Sequence, residues 1–153
     1  MDYSDSIEIA ASPAVAFAAI ADLGAMGRRS PENTGGQWLD AATGPALGAR
    51  FSGTNARDSS AWSTVAKVSV FDPPRHFAFD VTYKRFKISR WEFEIVATNS
   101  GCRVKESWRD DRNVALRRSG DRDGFRRADF TKTSIRTTLE KLRRELEGPH
   151  GGE

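Results

Sequence analysis

The sequence predicts an α+β domain in which one antiparallel sheet is covered by one long helix. Three observations carry this. Seven segments alternate apolar and polar residues with a period of two, as half-buried strands do. The links between the last six are rich in Gly, Pro, Asn, Asp and Ser and mostly short, which makes an antiparallel meander the economical topology. A single segment of helical period, Gly124 to Glu147, is long enough to cover the apolar face such a sheet must bury.

The first strand is Asp5 to Ala10, with Ile7 and Ile9 on one face. Ser12-Pro13 then supplies an N-cap and a proline in the first helical turn. Ala14 to Leu23 follows as a helix with Phe17 and Ile20 on its apolar stripe, and Gly24 and Gly27 break it before a short turn at Met26. Ser30 to Gly36 (SPENTGG) reads as a turn leading to a strand at Gln37 to Asp40. After a loop with Gly44-Pro45 and Gly48, strands are expected at Arg50 to Asn55 and at Ala61 to Phe71. In the second of these Trp62, Thr64, Ala66, Val68 and Val70 share a face. Asp72-Pro73-Pro74 is a hard turn, because proline cannot donate to a ladder. His76 to Tyr83, Ile88 to Val96 and Gly101 to Asp110 complete the sheet. Asp111 to Asp123 is charged and aperiodic, hence a loop, with room for one helical turn at Val114 to Arg117. In the final helix Phe125, Ala128, Ile135, Leu139, Leu142 and Leu146 recur at helical spacing, and Gly148-Pro149 stops it. The expectation is one domain over 1–148 and a disordered tail over 149–153.

The chain of 153 residues suits one domain with one core. No apolar run approaches the ~20 residues that span a bilayer. Met1 to Asp5 is polar and acidic, so no signal peptide is visible, and the single cysteine, Cys102, fits a reducing cytoplasm. The net charge of +3 is uneven: residues 1–102 hold 10 Lys+Arg against 11 Asp+Glu, and residues 103–153 hold 14 against 10. Acids interleave with those late cations, which favours a solvated face over a nucleic-acid surface.

The chemistry concentrates in Gly101 to Asp110 (GCRVKESWRD). Cys102, Val104, Glu106, Trp108 and Asp110 share one side; Arg103, Lys105, Ser107 and Arg109 share the other and face water. Glu106 is thereby placed on the covered face between Val104 and Trp108. A carboxylate there costs several kcal/mol unless paired, hydrogen-bonded or protonated. Two explanations stand side by side: a buried ion pair or cap, and a cavity into which Glu106 points. Other chemistries have little support. His76 and His150 are the only histidines, no His/Cys cluster exists for zinc, and the glycines match neither a P-loop nor a dinucleotide fingerprint. His76 and Arg90 read as surface or edge residues. Acid–base chemistry by carboxylate, tyrosine and arginine remains, with Glu106 as proton shuttle and Tyr83 as a donor to a carbonyl oxygen.

The residues Ser30-Pro31-Glu32, Thr34-Gly35-Gly36-x-Trp38, Gly44-Pro45-x-x-Gly48-Ala49-Arg50-Phe51, Trp62-Ser63-Thr64, Phe77-x-Phe79, Ser89-Arg90-Trp91 and Glu106-Ser107-Trp108, in that order, resemble the START-related, Bet v 1-like superfamily in its polyketide cyclase/dehydrase and lipid-transport branch. Asn33 departs from that pattern, standing where a small residue is expected. The resemblance implies a helix-grip fold, with seven antiparallel strands around the C-terminal helix and two short helices after the first strand. It also implies an apolar cavity, a small hydrophobic or aromatic ligand, and no obligatory cofactor; no metal site is expected from the residues themselves. Candidate ligand contacts are Glu32, Trp38, Phe51, Trp62, Phe79, Trp91 and Trp108. Fold does not choose a function. One expectation is a cofactor-free cyclase or dehydratase of polyketide-like substrates; the other is a non-catalytic carrier or sensor of an apolar molecule or lipid. An acidic acyl carrier protein is a third-party partner consistent with the basic last third, and the protein is expected to be a monomer or homodimer.

Overall fold

The computed structural model describes residues 1–148; the expected tail over 149–153 lies outside the described residues. The chain runs β1 (Tyr3–Ile9), α1 (Pro13–Ala21), a 3₁₀ helix (Leu23–Arg28), β2 (Asn33–Trp38), β3 (Arg50–Arg57) and β4 (Ser60–Asp72). It continues through β5 (His76–Tyr83), β6 (Phe86–Thr98), β7 (Gly101–Asp110), α2 (Val114–Gly120) and α3 (Arg127–Glu147). The strands form one antiparallel sheet in the order β1-β7-β6-β5-β4-β3-β2. Each strand from β2 to β7 lies beside its sequence neighbour, and β1 closes the far edge against β7. With α3 against the inner face, this is a helix-grip fold.

Local chemistry explains the elements. Ser12 Oγ accepts from Val15 N at 3.2 Å, Pro13 opens α1, and the helix buries Ala16, Phe17, Ile20 and Ala21. Phe17, Phe71 and Phe77 meet edge-to-face at centroid distances of 5.5, 6.1 and 6.4 Å. Ile135, Leu139 and Leu142 of α3 are fully buried against this core.

The structure corrects several expectations. Ser30 Oγ accepts from Glu32 N and Asn33 N at 3.1 and 3.0 Å and ends the turn early, so the strand begins at Asn33 instead of Gln37. Asp40 and Ala41, with φ of 56° and 63°, belong to the next turn. Gly36 is required within β2: a Cβ there would collide with the Ser52 carbonyl oxygen. In β4 the register slips between Val68 and Val70, so Phe71, not Val70, joins the inner face beside Phe77. Ser107 is 3 % exposed, not solvated, because its Oγ is held 2.9 Å from Ser4 Oγ of β1. The final helix starts at Arg127; Gly124, with φ 83°, and Phe125 precede it.

The expected loop over 111–123, with its helical turn at Val114 to Arg117, contains a longer helix, α2 over Val114–Gly120. Asn113 caps it by accepting from Leu116 N at 2.9 Å. Arg112 ties its two ends, donating to Asp110 at 2.9 Å and to Asp121 at 3.3 Å. These ion pairs span two and nine residues of sequence, and they leave no apolar periodicity to read.

Candidate functional site

Between the sheet and α3 lies a cavity of about 420 Å³. Its sheet wall carries Phe51, Trp62, Phe79, Trp91, Phe93 and Trp108. The alternation of β3 to β7 delivers these rings to one face, and the curvature of the sheet keeps α3 from filling the space among them. The helix wall is different in character: Thr131, Ser134 and Thr138, three and four residues apart, present a ladder of small polar side chains. Leu23 and Met26 of the 3₁₀ helix close one side, and Arg112, Leu116 and Ser119 bring α2 across another.

Glu106 lies in this cavity, 4 % exposed, opposite Asp5 on β1 and Phe93 on β6. Its Oε1 is buried and has no hydrogen-bond partner, and no ion pair among the described residues includes it. The paired-or-capped explanation is therefore absent, and the carboxyl meets burial without compensation. Burial, reinforced by the charge of Asp5, pushes its pKa up to about 8. Asp5 is held in turn by Arg136 of α3 at 3.3 Å.

Tyr83 lines the same cavity at its other end. It pairs with Phe86 on β6, whereas Glu106 pairs with Phe93 on that strand. Seven strand positions amount to roughly 23 Å along β6, so the two groups serve different parts of the cavity. Glu32 also lines it, and its carboxylate takes Arg127 Nη1 at 2.9 and 3.0 Å, bracing the start of β2 against the start of α3. Asn55 is in the lining, with Nδ2 donating to Thr64 Oγ1 at 3.3 Å. Trp38 is not in the lining: it lies at the end of edge strand β2 and packs edge-on against Phe51 at 5.2 Å.

Four further lining groups have weak or no signatures in the sequence. Thr131 and Ser134 are 2 % and 8 % exposed, and their helical spacing beside Ile135 and Leu139 was the available signal. Arg29, the residue that caps the end of the 3₁₀ helix, is 4 % exposed and donates to Glu145 at 2.8 and 3.1 Å and to the Ala19 carbonyl at 3.2 Å. Those hydrogen bonds, with Arg28 assisting, hold Glu145 down to a pKa of about 2. Arg112 meets Asp110, for which burial is outweighed by hydrogen bonds from Arg112 and the charges of Arg112 and Arg117, so its pKa is lowered. Asp110, expected at a solvated strand end, is thus a half-buried anchor for α2.

On the outer face, Arg90 donates to Glu92 at 2.9 Å and Asp80 at 3.3 Å, a cross-strand partner as its parity indicated. His76, Glu92 and Glu94 there bring three potential metal-ligating atoms within 4.8 Å, but Arg90 already engages Glu92 and Lys105 approaches Glu94 at 3.8 Å. No helix among the described residues is long and apolar enough to cross a membrane.

A family model described as polyketide cyclase / dehydrase and lipid transport matches residues 1–147. A polyketide-cyclase-like protein from Corynebacterium glutamicum is 30% identical, with a TM-score of 0.61, over 95% of this chain and 90% of that one. The di-domain ARO/CYC StfQ of the steffimycin biosynthetic pathway superposes with a TM-score of 0.73 at 10% identity, over 97% of this chain and 51% of StfQ. Ara h 8.0201 gives 0.64 at 13% identity, over 95% and 94%. No curated protein matches at sequence level.

Proposed function

Because the chain belongs to the polyketide cyclase / dehydrase and lipid-transport family, we propose that its cavity holds a small hydrophobic or aromatic, polyketide-like molecule and that Glu106 moves protons on it. The observation that carries this is a carboxyl with an unpartnered oxygen, buried in a ring-lined cavity. A carboxyl with a pKa near 8 is mostly protonated at neutrality, yet its carboxylate form remains accessible, so one group serves as both acid and base.

In a cyclase or dehydratase cycle the carboxylate takes the proton from a carbon flanked by two carbonyls, and the enolate closes on a second carbonyl carbon. Glu106, now protonated, returns that proton to the new alkoxide, then takes the second proton of the same carbon and delivers it to the resulting hydroxyl, which leaves as water. The curved aromatic wall would hold the chain bent, and hydroxyls of Thr131, Ser134 or, for the outer part of a long substrate, Tyr83 would donate to carbonyl oxygens. Glu32, Phe51, Trp62, Phe79, Trp91 and Trp108 are ligand contacts in this reading, and Trp38 supports Phe51 from behind. No cofactor is needed for these steps. The proposal extends to a cytoplasmic monomer or homodimer, supplied with free substrate or by an acidic acyl carrier protein meeting the exposed Arg117, Arg118, Arg122 and Arg126.

Turnover of a polyketide-like substrate by Glu106→Gln is expected to fall about 10²–10⁴-fold, the usual contribution of a positioned acid–base group, with substrate affinity retained. Unchanged turnover would remove Glu106 from the chemistry. A second reading, a carrier or sensor of an apolar molecule, is favoured by one observation: the lining arginines Arg29 and Arg112 spend their hydrogen bonds on Ala19, Glu145, Asp110 and Asp121, so neither is free to stabilise an oxyanion. On that reading Glu106→Gln weakens binding and there is no reaction to lose.

A further inference from the structure

We infer that the cavity mouth carries an anion-binding site, centred on Arg57 and backed by Arg127, that takes the carboxylate or phosphate end of an amphiphile whose apolar body lies in the cavity. This rests on the cavity-binding reading above and adds the chemical class of the ligand.

Placement comes first. Phe51, Gly53 and Asn55 alternate along β3 and all line the cavity, and Arg57 is the next residue of that face and the last of the strand. Its side chain therefore stands at the rim. Its guanidinium lies 3.5 Å from the centroid of Phe125 and 6.0 Å from that of Phe130. The guanidinium of Arg127 lies 5.2 and 5.3 Å from the same two rings. Two cations thus share one aromatic pair, and Phe130 and Arg127 are themselves in the cavity lining.

Charge accounting then separates the two arginines. Arg127 is answered by Glu32 at 2.9 Å. Asp121 is engaged by Arg112 and by the Arg127 backbone N–H. Asp58, beside Arg57 in sequence, is exposed. No ion pair of the described residues includes Arg57, and its Nε is buried with no acceptor. A guanidinium stacked on a ring face keeps its N–H edge free and fixed in plane, the arrangement that receives an oxyanion through charge-assisted hydrogen bonds. The orphaned Nε is the donor such an oxygen would satisfy.

The test compares dodecanoate, dodecyl phosphate and dodecanol, which share one apolar chain, by calorimetric titration at pH 8 of the wild-type protein, Arg57→Gln and Arg57→Lys. The wild type is expected to bind at least one anion about tenfold or more tightly than the alcohol, as charge-assisted hydrogen bonds imply. The two anions tell a carboxylate ligand from a phosphate-headed one. Arg57→Gln should bring the anions to the alcohol's affinity while leaving the alcohol unchanged, which also shows that the variant is folded; Arg57→Lys should keep part of the preference. Equal binding of all three by the wild type, or a preference that survives in Arg57→Gln, overturns the inference alone. If none of the three binds, the cavity-binding reading fails and this inference falls with it.

Discussion

Replacing Glu106 by glutamine is expected to stabilise the protein at pH 8 by roughly 3–5 kcal/mol and to change little at pH 4. The carboxyl is fully buried and its pKa is raised from 4.5 to about 8. Below pH 4.5 the folded and unfolded chains both carry the proton, and Glu106 exerts no pH-dependent drag. As pH rises above 4.5 the unfolded chain ionises freely while the folded chain must stay neutral, so stability declines by about 1.4 kcal/mol per pH unit until the folded carboxyl also ionises near 8. Glutamine has the shape of the protonated acid and nothing to ionise. Urea midpoints of wild type and variant at pH 4, 6 and 8 test this directly, because every other titrating group is common to both chains. A difference that does not grow with pH would show that Glu106 is solvated or paired in solution.

The second large effect concerns the buried end of the 3₁₀ helix. Arg29→Met is expected to cost about 3 kcal/mol, the lower end for breaking a buried ion pair, since Glu145 is one-third exposed and can recover water. Arg28→Met, removing the 66 % exposed partner of the same carboxylate, should cost less than about 1 kcal/mol. The pH dependence has the opposite sign to that of Glu106. Glu145 is depressed to about 2, so its contribution is present above the ordinary carboxylate range and is lost as pH falls toward 2. Arg29→Met should flatten that acid limb. Equal, small losses in the two variants would mean that the Arg29 side chain is not buried as described.

The reasons that the fold was legible and parts of the site were not are physical. Period-two alternation survives wherever one face of a strand is buried, and β7 keeps it from Cys102 to Glu106, so Glu106 could be placed on the inner face from its neighbours Val104 and Trp108 alone. The same logic failed at Val70, where one extra residue in β4 reverses the parity, and at Ser107, which is covered by a side chain from a strand 103 residues away. The helix α2 is held by Arg112, Asp110 and Asp121 in place of an apolar stripe, so no periodicity announces it, although Asn113 as its cap was readable. Arg29, a cation just past the short 3₁₀ helix, becomes a buried lining residue because α3 brings Glu145 to it. Partners distant in sequence decide Arg29 and Ser107, and local pattern does not carry them.

The central claim is that the space between sheet and helix accepts an apolar guest. Titration of the neutral fluorophore N-phenyl-1-naphthylamine into the wild-type protein and into Ser134→Leu, whose added side chain projects from α3 into the cavity, tests it most directly. The account predicts saturable one-to-one binding by the wild type and a loss of about tenfold or more in the variant, with the far-ultraviolet circular dichroism unchanged. No binding by the wild type, or equal binding by both proteins, would contradict it.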